Sequence, residues 1–512
     1  MPKHVHTKYT RVFALGYRVG EVPVPWPKDN PTTTVNVCTH TRNARRLNYR
    51  RLPFGWLPGI APVSADGNDP QTVVHAFNSR VNRLTPTCRL CPALAAHVRV
   101  WCARNVHELV PLTFLEWLDT THYPESRKLE LVRAHDRLLG GPPTLKWRSH
   151  VDSFVKLEAY NCYKAARMIN SRSDYFKVFS GPYFKSIEQQ IFAMSTFIKH
   201  VPVPERYKKV LALKRGYKYY YSTDYTSFEA HFTETVMQAV ECQLYRKCFK
   251  HDKNLKTLVG ALTGENRCRT RTGLRCKVKA RRMSGDMCTS LGNGFTNYML
   301  LTYIMHRKGA TENDFECLIE GDDCIVGSNV ELTEQDYRDL GFTIKIDRVD
   351  DPCKASFCGL ICAENGVNIR DPARHFEKFG WTHSCCLAGE KVMHSLLKAK
   401  AMSTLCECPD CPVIAQVAWE SYKLCKEYDP RWEDDYYINY ILRPMDRPEQ
   451  FREPNPPIET RLLFEEMFGI SIQQQLLLED AARAHDLSKF PSVVTFHPDV
   501  LDYALKFVVS TL

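Results

Sequence analysis

Three acidic positions carry most of the chemical promise of this chain: Asp224, Asp322 and Asp323. Asp322 and Asp323 follow Gly321 between two short apolar runs, Cys317-Leu318-Ile319-Glu320 and Cys324-Ile325-Val326-Gly327, a pattern that predicts a hairpin with acids at its turn. Taken singly, Gly-Asp-Asp is commonplace, because Gly and Asp are residues that tight turns prefer. The flanks, however, are apolar enough to bury both strands, and packed acids repel one another unless a cation neutralises them. Asp224 is a second source of carboxylate: the aromatic stretch 217–225 reads as a strand that delivers it near the strand end. Acids from two separate strands meeting at one point are what nucleotidyl transfer needs. Magnesium takes a few hard carboxylate oxygens and leaves positions for phosphate and water. Two such ions roughly 4 Å apart can activate an attacking hydroxyl and stabilise the leaving oxygen of an in-line displacement. Asp224 and Asp322 are the expected primary ligands, with Asp323 auxiliary and manganese as the alternative ion.

Several elements must position these acids. From Thr233 onward Val236, Val240, Leu244 and Cys248 recur at helical spacing, so a helix is predicted to follow the Asp224 strand. Leu291, Phe295, Met299 and Tyr303 mark another, entered through the loop Ser284-Gly285-Asp286 and stopped near Gly309.

The series Asp224-Tyr-Thr-Ser-Phe-Glu229, then Ser284-Gly285-Asp286-Met-Cys-Thr289-Ser-Leu-Gly-Asn293, then Gly321-Asp322-Asp323 resembles motifs A, B and C of positive-strand RNA virus RNA-directed RNA polymerases, in order and in spacing. The Ser-Gly-Asp…Thr…Asn signature, with Phe357-Cys358-Gly359 resembling motif E, is similar to the tombusvirus-like part of that superfamily. Upstream, Lys156-Leu-Glu158 and Lys164-Ala-Ala-Arg167-Met-Ile169 resemble motif F, a basic segment lining the path of the incoming nucleotide. Such a segment has a physical rationale, since a triphosphate brings negative charge into a site crowded with acids. Arg167 can grip phosphate oxygens in a fork, while Lys156 and Lys164 act as point charges. Phe342-Thr-Ile-Lys345-Ile-Asp347 resembles motif D, which implies Lys345 as proton donor to departing pyrophosphate, with Arg348 and Lys354 as competitors. Sugar choice is expected to fall to Glu229, Ser284, Thr289 and Asn293, because the 2′-hydroxyl both donates and accepts hydrogen bonds. Here the chain departs from the family pattern: Glu229 stands where relatives are expected to carry Asp, so its carboxylate reaches one methylene further and its bonding with Asn293 must adjust.

The resemblance runs from about residue 156 to 379. It implies an α+β right hand of fingers, palm and thumb, with an antiparallel palm sheet flanked by helices. On that reading 1–140 is an N-terminal region and fingers extension, 141–215 fingers, 216–380 palm with 250–283 inserted from the fingers, and 381–512 thumb and C-terminal region. The implied partners are template and nascent RNA, ribonucleoside triphosphates and other viral replicase proteins. The implied location is the host cytoplasm, at membrane-associated replication complexes reached through partners.

Bulk properties bound this reading. A chain of 512 residues suggests several lobes at about 100 to 200 residues per domain. Pro-rich stretches at 22–31, 140–143 and 443–457 are the natural boundaries. The net charge of +11 favours a nucleic-acid partner, and Arg42, Arg45, Arg46, Arg50 and Arg51 could track a phosphate backbone or simply face solvent. No apolar run approaches the roughly 18 residues of a membrane span, and no signal-peptide pattern opens the chain. The 21 cysteines therefore read as buried thiols of a reducing compartment. Cys88, Cys91, His97, Cys102 and His107 form one conceivable zinc set, and His394, Cys406, Cys408 and Cys411 another. Neither has a paired partner motif at zinc-ribbon spacing, so chance proximity is the expectation for both. Two rivals stand beside the polymerase. A reverse transcriptase shares the metal acids but usually carries another residue before the acid pair. A non-catalytic RNA-binding or capsid-associated protein would gain nothing from concentrating acid beside phosphate.

Overall fold

The computed structural model describes residues 70–141, 146–156, 165–213, 216–382, 388–432 and 451–486, with a few short strands and isolated positions elsewhere. The fold is mixed α+β with antiparallel pairing dominant. Its centre is a four-stranded sheet in the order Phe315–Glu320, Asp323–Ser328, Tyr219–Tyr225, Ile344–Val349. The first two strands form the hairpin that the sequence pattern predicts. Glu320 pairs with Asp323 across a two-residue turn, and Gly321 takes the left-handed conformation at φ 62° that such a tight connection demands. Ile319, Ile325 and Val326 are fully buried, and each such side chain contributes roughly 1.5–3 kcal/mol of burial.

Against this sheet lies the helix Thr289–Arg307, as the spacing of its apolar residues predicts. Leu291, Phe295 and Met299 are fully buried in the main core, and His306 and Arg307 occupy its last turn, where cations complement the helix dipole. Lys308 and Gly309 end it, the latter at φ 83°. The helix expected after the Asp224 strand is present but divided: Glu234–Ala239 and Glu241–Cys248 break at Val240. The break sets Glu241 at the head of the second piece, its carboxylate fully buried against the Arg282 guanidinium. Periodicity alone could not show that, because the apolar spacing continues through the break.

A second sheet has six strands, in the order Val5–His6, Thr33–Val37, Leu274–Lys279, Glu265–Arg269, His150–Val155, Met168–Arg172. Strands from the 250–283 stretch thus join those from the basic upstream segment. The helix Pro70–Arg80 covers this sheet through Val73, Val74 and Phe77. Among the described residues from 390 onward the long elements are helices, Glu390–Glu407, Ile414–Leu424, Ile458–Phe468 and Ile472–Arg483, gathered around a core that also takes in Leu52, Val203, Leu360, Ile361 and Ile369. No helix among the described residues is long and apolar enough to cross a membrane, and no disulfide links the described cysteines.

The buried Arg282–Glu241 pair is costly to disturb, because removing one partner strands the other charge away from water. Arg282→Leu is expected to lower stability by about 3–5 kcal/mol, read from the midpoint of urea unfolding. An unchanged midpoint would show that Glu241 finds another partner or is neutral in the fold.

Candidate active site

The sheet brings the predicted acids to one end. In the antiparallel pair between Tyr219–Tyr225 and Asp323–Ser328, Thr223 faces Cys324. The next positions hold Asp224 and Asp323, and Asp322 occupies the turn beside them. Burial raises the pKa of Asp322, and the negative charges of Glu229 and Asp224 raise it further, while Arg80 opposes them. Asp323 is pushed up to about 7, first by burial and then by Asp322, Asp224 and Glu320. These shifts are what carboxylates crowded together without a counter-cation produce. Among the described residues no three His, Cys, Asp or Glu side chains close into a ready ligand cage. Hard carboxylates that repel one another suit a divalent ion that keeps water and phosphate among its ligands.

Three groups that the sequence pattern did not reveal hold this arrangement. Asn297 donates from Nδ2 to the carbonyls of Gly321 at 3.3 Å and Asp322 at 3.1 Å, and its Oδ1 accepts from the Tyr225 hydroxyl at 3.0 Å. It ties the acid-bearing turn to the helix and to the Asp224 strand. Its position one helical turn beyond Asn293 was the available signal. Glu320, immediately before the turn, is gripped by Lys199 at 3.1 Å and Arg206 at 2.6 Å. The Cys358 thiol of the Phe357-Cys358-Gly359 turn lies 3.8 Å from Glu320 and within the electrostatic reach of Asp323.

The four residues expected to read the sugar are placed less uniformly. Glu229 follows the Asp224 strand in a short turn and reaches Asp322 electrostatically, but its carboxylate pairs with Arg80 at 3.1 Å rather than with Asn293. Asn293 instead accepts from Arg282 Nε at 3.2 Å, within the buried group that includes Glu241, Tyr245 and Cys288. The expected Glu229–Asn293 bond is not made in this arrangement: Glu229 Oε2 accepts from Arg80 and Asn293 Oδ1 from Arg282. Ser284 accepts from the Asn170 amide at 3.1 Å, and the Gly285 amide donates to Asn170 O at 2.8 Å. A Cβ at Gly285 would stand only 2.9 Å from that carbonyl, so the loop's close approach requires glycine. Thr289 donates its hydroxyl to Asp286 O at 2.9 Å, closing its own helix start. Asp286 pairs with Arg172 at 2.9 Å with both side chains almost fully buried, which locks the loop to the strand Met168–Arg172.

That strand belongs to the basic segment. Lys156 N donates to Arg167 O at 2.8 Å, so the two cations stand across from each other at the end of the pair; Lys164 and Glu158 lie outside the described residues. Lys345 is the direct cross-strand partner of Asp224, an arrangement that puts both side chains on one face. Its ammonium is exposed and bonds to Asp347 at 2.7 Å. Of its competitors, Arg348 lies over the Tyr219 ring and Lys354 pairs with Glu466 at 2.5 Å. In the first cysteine set, the Cys88 and Cys91 thiols act on each other electrostatically and His97 bonds to Thr302 at 2.9 Å. In the second, burial pushes the Cys406 and Cys411 thiols up to about 12 while His394 stacks on Tyr428.

The chain belongs to the family of viral RNA dependent RNA polymerases, which it matches over residues 102–489. It is similar to the RNA-directed RNA polymerase of Groundnut rosette virus (strain MC1), with 26% identity over 345 residues, 62% of this chain and 40% of the relative. That of Red clover necrotic mosaic virus is 26% identical over 258 residues, 46% of this chain and 33% of the relative. That of Tomato bushy stunt virus (strain Cherry) is 26% identical over 237 residues, 40% and 27% respectively, in keeping with the tombusvirus-like resemblance of the motifs. The chain spans 40% or less of the length of each of these curated relatives.

The raised pKa of Asp323 has a measurable consequence. The fold favours its protonated form, so its contribution is full below the ordinary carboxylate pKa and is lost as pH rises through about 7. Metal-free protein carrying Asp323→Asn is expected to gain in Tm over the unsubstituted protein as pH rises from about 5 to about 8, and magnesium is expected to shrink the gain. A difference in Tm that stays constant with pH would mean that Asp323 ionises normally.

Proposed function

We propose that this chain catalyses templated RNA synthesis, in which the 3′-hydroxyl of a growing strand attacks the α-phosphate of a ribonucleoside triphosphate and pyrophosphate departs, as part of copying a positive-strand RNA genome. The observation that carries the reading is the meeting of Asp224, Asp322 and Asp323 at one sheet end within a chain of this polymerase family. Asp224 and Asp322 would hold two magnesium or manganese ions, with Asp323 auxiliary. Bound there, the ions would activate the attacking hydroxyl and offset charge on the leaving oxygen.

The chain's own residues supply the rest. Lys156, Lys164 and Arg167 draw in and orient the triphosphate by charge and, for Arg167, by a planar fork. Glu229 supplies the carboxylate that accepts from the ribose 2′-hydroxyl. Ser284, Thr289 and Asn293 shape the sugar pocket from the loop and helix behind it. Lys345, on the same face as Asp224, is the group best placed to give a proton to pyrophosphate. In the right-hand description the six-stranded sheet belongs to the fingers, the four-stranded sheet to the palm (216–380) and the helices after 390 to the thumb. RNA, ribonucleoside triphosphates and other replicase proteins are the partners this implies, at cytoplasmic replication complexes that reach membranes through those proteins. The acids argue against a non-catalytic RNA binder, and Gly321 before the acid pair argues against a reverse transcriptase.

Primer extension on a short RNA template, with magnesium or manganese, tests the reading. Asp322→Ala is expected to cut incorporation at least about a thousandfold, equivalent to about 4 kcal/mol of transition-state stabilisation, while leaving fold and RNA affinity intact. Polymerisation retained by that folded variant would refute the metal role. Glu229→Asp is expected to stay active, whereas Glu229→Ala should lose ribonucleotide preference by about tenfold, the scale of one hydrogen bond. Unchanged discrimination in Glu229→Ala would remove Glu229 from sugar sensing.

A further inference from the structure

Arg80 lies outside every motif that marks this chain as a polymerase, yet its guanidinium enters the acid cluster. It ends the helix Pro70–Arg80, 149 residues before Glu229, and Nη1 donates to Glu229 Oε2 at 3.1 Å. Both side chains are only partly exposed, 26% for Arg80 and 19% for Glu229, so the pair is partly shielded from solvent. Arg80 also acts electrostatically on Asp322, opposing the repulsion from Glu229 and Asp224. The contact is through one carboxylate oxygen, which leaves Oε1 available as an acceptor.

The identity of residue 229 explains why a tether is useful. A glutamate has one more rotatable bond than an aspartate, and an untethered side chain would spread its carboxylate over several rotamers. Asn293, the other candidate to hold it, makes no bond to Glu229 and is turned with its Oδ1 on Arg282. We propose that Arg80 is a specificity-determining positioning residue: by holding Oε2 it fixes the longer Glu229 side chain so that the other oxygen meets the ribose 2′-hydroxyl. This rests on the reading of Glu229 as the sugar-sensing carboxylate. Arg80 acts through Glu229 and touches neither the reacting phosphate nor the 3′-hydroxyl.

The test is steady-state primer extension with a ribonucleotide and the matching 2′-deoxynucleotide, for the full chain and for Arg80→Ala, Arg80→Lys, Glu229→Ala and the double alanine variant. Arg80→Ala is expected to lower the ribo-to-deoxy ratio of kcat/KM about tenfold, through a rise in KM for the ribonucleotide more than a fall in kcat. Arg80→Lys is expected to recover much of the ratio, since a single-point contact needs a cation rather than a fork. The double variant should be no less selective than Glu229→Ala alone, as expected of two residues acting as a unit. A purely structural Arg80 would instead depress both nucleotides together and lower Tm, which overturns the proposal, as does an unchanged ratio in Arg80→Ala. Additive losses in the double variant would also overturn it. No incorporation by the unsubstituted chain would overturn the polymerase reading itself, whereas incorporation with a ratio insensitive to Glu229→Ala would remove the sugar-sensing role alone.

Discussion

Setting Asp224, Asp322 and Asp323 at one end of a sheet places like charges against one another, and much of the surrounding structure holds that unfavourable arrangement in place. The apolar flanks Leu318, Ile319, Ile325 and Val326 supply the burial that makes the hairpin rigid. Asn297 and Tyr225 then fix its tip through bonds that do not depend on the ionisation of the acids. Neutral amide and hydroxyl contacts hold the tip without adding a cation that would compete with the proposed metal ions. Lys199 and Arg206 neutralise Glu320, two residues before Asp322, and anchor the strand there.

The loop before the Thr289–Arg307 helix follows the same logic. It joins the two sheets through backbone bonds between Gly285 and Asn170 and through the buried Arg172–Asp286 pair. A shift of the six-stranded sheet must therefore move Ser284 and the start of this helix, and through Asn297 the acid-bearing turn. The basic segment at Lys156 and Arg167 continues the same strand pair that carries Asn170 and Arg172. The proposed phosphate-binding segment and the acid-bearing turn thus share one covalent and hydrogen-bonded frame, a contiguous route for coupling between them.

What the sequence made legible follows from the range of the interactions involved. The Asp224 strand, the acid-tipped hairpin and the helix through Leu291, Phe295 and Met299 are written in local periodicity and turn chemistry, so they were readable. Motif order added the family, because several weak local signals in a fixed order are jointly specific. The partners of buried polar groups were not readable. Glu229 meets Arg80 across 149 residues and Arg282 meets Glu241 across 41, and no periodicity encodes such pairings. The division of the helix at Val240 was hidden for a related reason: Val236, Val240, Leu244 and Cys248 are all buried, so the apolar stripe survives the break that the buried ion pair accompanies.

The two arginines hold Asn293 and Glu229 in different ways. Arg282 is fully buried and bound on several sides by Glu241, Cys288 and Asn293, and Gly292 leaves the room it occupies: a Cβ there would stand 2.2 Å from its guanidinium. Such a group cannot move without leaving charge stranded, so it makes Asn293 a fixed wall. Arg80 is partly exposed, bonds to one carboxylate oxygen and sits at a helix end. A contact of that kind yields at modest cost when stronger ligands arrive. On the proposed reading, a fixed Asn293 on one side and a Glu229 tethered by Arg80 on the other would let a longer glutamate stand where relatives are expected to carry aspartate, the extra methylene being taken up on the Arg80 side while Asn293 stays where the buried ion pair sets it.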